Sequence, residues 1–138
     1  MKNKFLALII LVIGFTPALA ENLNIKSYNV TIDKKTSVTV FKDNVVARDG
    51  KNNTFKTSYA EYDKNLKLLK SKGKTSILTS EGFFLDGSNI TFDNKNKIII
   101  SNDPALIKDL ENNNIFLDNF EYSTANGFFK STGNIKVV

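Results

Sequence analysis

Three carboxylates recur at an interval of thirty residues: Asp33, Asp63 and Asp93. An evenly spaced acidic series can hold calcium through oxygen ligands, or supply paired acid and base groups for hydrolysis. The same residues also suit tight turns, because an aspartate side chain bonds nearby backbone N–H groups and tolerates left-handed geometry. Each of these aspartates follows a β-favouring residue and opens a polar cluster, so turn chemistry is the stronger reading. The chain has no cysteine and no histidine. Disulfides, thiolate zinc sites, cysteine nucleophiles and histidine bases are therefore excluded, and nothing in the chain implies a cofactor. Asn29, Asn52 and Asn89 each open an N-x-Thr sequence, which reads as accidental in so asparagine-rich a chain.

The aspartates sit in a longer pattern. Residues 26–55, 56–85, 86–115 and 116–138 align as four blocks without a gap. Ile32, Tyr62, Phe92 and Tyr122 share one column; Val38, Leu68, Ile98 and Phe128 share another. Ser71, Ser101 and Ser131 align, and Asp43, Gly73, Asp103 and Gly133 follow two residues later. Self-similarity at a fixed period marks a repeat architecture. Within each block a β-rich run meets a polar turn and then a second β-rich run, the signature of a hairpin. A second set of turns falls at Asp49-Gly50-Lys51-Asn52, Ser80-Glu81-Gly82 and Glu111-Asn112-Asn113-Asn114. Helical periodicity is missing; a short turn over Pro104 to Leu110 is the one exception expected.

Side-chain parity extends the reading. Around the first set of turns, apolar residues fall on even numbers: Val30, Ile32, Val38, Val40, Tyr62, Leu68, Ile90, Phe92, Ile98, Ile100, Phe120, Tyr122 and Phe128. Beyond the Asp43/Gly73 column they fall on odd numbers, including Ile77, Ile107, Ile135 and Val137. A one-residue phase change is what a bulge or corner produces. The expected fold is all-β: an antiparallel jellyroll of about four repeats of bent hairpins, open at its ends, with these residues lining one interior. An inward charge, such as Ile98→Asp, is expected to unfold it or to block loading of lipid into the interior. The last block stops in mid-strand at Ile135 and Val137, leaving an edge to which another strand could add.

Residues 1–20 carry Lys2 and Lys4, an apolar run from Phe5 to Phe15, and small residues before Ala20. This is the pattern of a secretory signal peptide cut after Ala20, and the run is too short to span a bilayer. Removing the leader leaves 17 basic residues against 14 acidic ones, a net +3 with no basic block along the sequence. A nucleic-acid partner is not indicated. The expected organisation is a leader over 1–20 and one β-domain over 21–138.

The segments Ala60 to Ile77, Ile90 to Asp103 and Phe120 to Val137 resemble the OstA-like repeats of lipopolysaccharide transport proteins. Each has an aromatic-Asp turn, an apolar strand, a small-x-Gly kink or its Asp equivalent, and another strand. That domain is shared by LptA-type proteins, LptC and the N-terminal domain of LptD. The resemblance implies a periplasmic, non-enzymatic protein of Gram-negative outer-membrane biogenesis. It would shield lipid A acyl chains in its interior and join other Lpt-type jellyrolls, or copies of itself, by edge-strand addition through Ile135 and Val137. Two alternatives stand beside it: the leading domain of an LptD-like protein, and a structural β-repeat with a packed core. A carboxylate-based glycan hydrolase is the third class, and it would need two acids facing each other across a cleft.

Overall fold

The computed structural model describes residues 23–138; the leader and its cleavage after Ala20 lie outside them. The described chain is all β-strand, with no helix. Strands β1 (Asn24–Lys26) and β2 (Asn29–Asp33) precede two long ones, β3 (Val38–Arg48) and β4 (Thr54–Asp63). The rest of the chain is a series of strands broken once at a corner. These are β5 (Leu68–Ser71) with β6 (Lys74–Leu78), β7 (Phe84–Ser88) with β8 (Thr91–Asp93), and β9 (Ile98–Ser101) with β10 (Ala105–Lys108). They continue with β11 (Asn114–Leu117) and β12 (Phe120–Ser123), then β13 (Phe128–Lys130) and β14 (Ile135–Val137). The segment after Pro104 is strand β10, not the short turn expected there.

All pairing is antiparallel in one folded sheet. The first half-sheet runs β2-β3-β4-β5-β8-β9-β12-β13 and the second runs β1-β3-β4-β6-β7-β10-β11-β14. Strands β3 and β4 pass through both halves and tie them together. A register shift between Lys42 and Val45 marks the corner. There Asp43 and Asn44 take the left-handed conformation, as do Gly73 and Gly133 in the aligned column. The two halves fold about this line and enclose an apolar core: an antiparallel jellyroll.

The parity expected from sequence holds in the second half and fails for one strand of each hairpin in the first. Asp63 pairs with Leu68, so four residues form the loop, and cross-strand partners then have opposite parity: Tyr62 faces Leu69. Phe92 likewise faces Ile99, and Tyr122 faces Phe129. Residues opposite each other in an antiparallel pair share a face. The inward residues of β5, β9 and β13 are therefore Leu69, Ile99 and Phe129. Val38, Val40, Leu68, Ile98, Ile100 and Phe128 point outward, which corrects the interior assigned to them from sequence. The returning strands change phase as expected: Phe55 and Thr57 are buried, then Ala60; Leu85, then Ile90; Leu117, then Phe120. One phase change at the corner and one at each four-residue loop make the total shift per repeat even, which lets thirty residues recur on the same faces.

Candidate functional site

The first turns are built as the aspartate column suggested. Asp63 Oδ1 accepts from the N–H of Asn65 at 2.9 Å and of Leu66 at 3.0 Å. Asp93 does the same for Lys95 and Asn96, and Asp33 for Lys35. Ser37, Lys67, Lys97 and Gly127 close the four loops with positive φ. The second turns use Asp49, Thr79 and Asp109. Asp49 Oδ1 accepts from Lys51 and Asn53, and Asp109 Oδ1 from Glu111 and Asn113. The repeating carboxylates are occupied by turn N–H groups rather than aimed together across a cleft.

These bonds hold two carboxylates ionised. Burial would raise the Asp93 pKa, but hydrogen bonds from Asn96 and Lys95 outweigh it and lower the pKa. The Asn113 side chain and N–H, with Glu111 N–H, lower that of Asp109. A depressed folded-state value adds stability above the unfolded carboxylate value near pH 4. That stability disappears as pH falls through the lower folded values. Acid unfolding followed by circular dichroism should show this loss, and Asp93→Asn with Asp109→Asn should flatten it while lowering stability at pH 7.

A column that sequence reading did not pick out organises the corner. Asn29, Tyr59, Asn89 and Asn119 occupy equivalent positions. Asn89 Oδ1 accepts from Gly73 N–H at 2.8 Å while its Nδ2 donates to Asp103 at 2.8 Å, so one side chain clamps the corners on both sides. Asn29 donates to Asp43 at 2.6 Å, and Asn119 holds both the N–H and the carbonyl of Thr132. Buried hydroxyls complete the bend: Ser71 Oγ accepts from Ile90 N–H at 2.9 Å, and Thr75 Oγ1 donates to Ser71 Oγ at 2.7 Å. Asn89→Ala should cost about 1 kcal/mol, the usual net contribution of exposed hydrogen bonds whose partners can turn to water, measured as a fall in the urea midpoint.

The interior is largely apolar, with buried hydroxyls such as Ser71, Thr75 and Ser101 along the corner. Leu69, Ile77, Leu85, Ile90, Phe92, Ile99, Ile107, Phe120 and Tyr122 are each at most 3% exposed. Of the interior residues expected from sequence, Ile77, Ile90, Phe92, Ile107, Phe120 and Tyr122 meet there, with Tyr62 packed against them. Leu69 and Ile99 were missed; the register of the four-residue loops places them. Across from the corner, the two half-sheets meet in a seam made by their turns. Lys51 Nζ donates to the carbonyls of Thr124 at 3.3 Å and Ala125 at 3.1 Å. The Phe83 and Phe129 rings lie edge to face at 5.4 Å. A side chain at Gly127 would strike the Glu81 carboxylate.

The ends differ from the middle. Val30 and Ile32 lie opposite Phe41 and Thr39, on the inner side of the sheet, yet are 49% and 56% exposed. At the other end Ile135 and Val137 lie opposite Leu117 and Ile115, again on the inner side, and are 54% and 61% exposed. Each pair sits on an outermost strand, β2 or β14, with one side unpaired among the described residues. The apolar interior therefore emerges at both ends beside a free strand edge.

The fold matches that of a solved structure, LptH, described as the LptA homologous periplasmic component of the conserved lipopolysaccharide transport device from Pseudomonas aeruginosa. The TM-score is 0.67 at 14% identity, over 86% of this chain and 94% of that one. No family model and no curated protein sequence matches the chain. The likeness establishes an LptA-type, OstA-like β-jellyroll.

Proposed function

We propose that this protein is a periplasmic lipopolysaccharide carrier that shields lipid A acyl chains between its two half-sheets and passes them along a bridge between the inner and outer membranes. The supporting observation is the apolar inner face that runs the length of the jellyroll and is exposed at both ends beside unpaired strands. The LptA-type fold supports the same reading. A neighbouring jellyroll adding its edge to β14 would extend the ladder, cover Ile135 and Val137, and join the two interiors. The edge at β2, with Val30 and Ile32, offers the complementary junction. Acyl chains are long, apolar and without hydrogen-bonding groups. An interior lined by Phe, Ile and Leu suits them, and the only cost of entry is parting contacts already made.

One observation favours a structural repeat instead: the middle of the interior is filled by its own side chains. Photo-crosslinking in lipopolysaccharide-producing cells separates the two readings. A photoreactive residue at Phe92 or Phe120, on the inner face, should yield lipopolysaccharide adducts, whereas one at Phe128, on the outer face, should yield none. Absence of adducts at both inner positions, with the protein folded and exported, would leave the structural repeat.

A further inference from the structure

The charge that looks scattered in sequence is sorted by the fold. On the outer face of the second half-sheet, one row of paired residues runs Lys26, Val46, Lys56, Ser76, Asp86, Leu106, Phe116 and Lys136. The next row carries Arg48, Leu78, Phe84 and Lys108. These rows hold five basic side chains and one acid, a net +4. The two matching outer rows of the first half-sheet hold Lys70 and Lys130 against Glu61, Glu121, Asp33, Asp63 and Asp93, a net −3. These rows of the two outer faces thus differ in sign, although the chain beyond the leader sums to only +3.

The basic face is also apolar at its centre. Leu78 and Phe84 pair across β6 and β7 and are 50% and 42% exposed. Leu106 pairs with Phe116, which is 44% exposed. Lys56, Lys108 and Lys136 flank this cluster and are exposed. Apolar side chains ringed by lysine and arginine match a surface that offers anionic headgroups over hydrocarbon. Lysine stems can lie along the apolar patch while their ammonium groups reach outward.

We infer that the outer face of the second half-sheet docks on an anionic membrane surface, with Leu78, Phe84, Leu106 and Phe116 against the interfacial region and Lys26, Arg48, Lys56, Lys108 and Lys136 paired with lipid phosphates. The docking is independent of what the interior carries. Lys26 and Lys136 lie on outermost strands, but on the outer face, opposite to the inward Ile135 and Val137, and no residue of the seam takes part.

The test is co-sedimentation of the exported protein, purified from a periplasmic extract, with vesicles of phosphatidylcholine alone or mixed with phosphatidylglycerol. Binding is expected only to the mixed vesicles, and it should weaken as salt rises. Lys56→Gln with Lys136→Gln should weaken it about twenty-five-fold, at roughly fivefold for each basic residue lost near an anionic surface. Phe84→Ser with Phe116→Ser should weaken it without changing the salt dependence. Lys70→Gln with Lys130→Gln, on the opposite face, should leave it unchanged, and circular dichroism checks that every variant is folded. Equal binding to neutral vesicles, no binding, or equal losses from the two lysine pairs would overturn the proposal. So would a dimer in solution that the Lys56 and Lys136 changes dissociate, because the face would then belong to a second copy.

Discussion

Ile99→Asp should unfold the domain, whereas Ile98→Asp, one residue away, should leave it folded. Ile99 is 1% exposed, lies opposite Phe92 and Tyr122 and belongs to the central core cluster. A carboxylate there would have no partner. Leaving it charged or forcing it to protonate costs several kcal/mol, on the order of the whole stability of a domain this size. Ile98 lies on the outer face between Asp93 and Ser123 and is partly exposed. Its replacement loses part of one apolar contact and sets a second carboxylate beside Asp93, a cost of about 1 kcal/mol. Ile98→Lys should recover most of that cost by reversing the charge. Urea unfolding of the three variants, followed by circular dichroism, would decide it. If Ile98→Asp were the more damaging, the four-residue loops and the faces they set would be wrong.

This pair isolates what the sequence could and could not reveal. The thirty-residue period, both sets of turns, the corner column and the faces of the second half-sheet are visible in residue type alone. The second turns carry their own marks: Asp49 and Asp109 at the start, with Asn52, Gly82 and Asn112 at positive φ. The first turns hide their length. Their closing positions are held by Ser37, Lys67 and Lys97, which give no sign of left-handed backbone; only Gly127 does. Leu66 in the second loop is apolar and reads as strand, yet it is 58% exposed at the loop tip. A four-residue loop moves the inward residues to the opposite parity, whereas Leu68, Ile98 and Phe128 continue the even-numbered apolar run, which is why they were placed inward.

The corner clamp was hidden for a different reason. Asn29, Asn89 and Asn119 form a column only if Tyr59 is accepted as its fourth member. Tyr59 does another job there: its hydroxyl donates to Glu61 at 2.7 Å and Lys72 lies over its ring at 5.1 Å. The exposed interior at the ends was not visible in the pattern either. Val30 and Ile135 have the same alternation as buried positions, and only their place on outermost strands leaves them uncovered. The basic outer face is a product of pairing, since Lys26, Lys56 and Lys136 are far apart in the chain and fall into one row across the sheet.

Locking the seam should abolish lipid loading. The interior is close-packed in its middle, so acyl chains can enter between the half-sheets only if these move apart. The corner cannot supply that movement, because β3 and β4 run through it and the Asn89 clamp holds it. The seam can: it consists of the Lys51 bonds to Thr124 and Ala125, the Phe83–Phe129 contact, and the approach of Glu81 to Gly127. The chain has no cysteine, so Phe83→Cys with Phe129→Cys gives a unique pair for a short, cleavable bifunctional thiol reagent. Bridged protein should give at least about tenfold fewer lipopolysaccharide adducts from a photoreactive residue at Phe92, since a void must open before a chain can occupy it. Cleaving the bridge should restore them. Lys51→Ala should act in the opposite direction and speed loading, as it removes two bonds that exist only in the closed state. Undiminished adducts in the bridged protein would show that acyl chains reach Phe92 without the seam opening, entering through the exposed ends around Val30, Ile32, Ile135 and Val137.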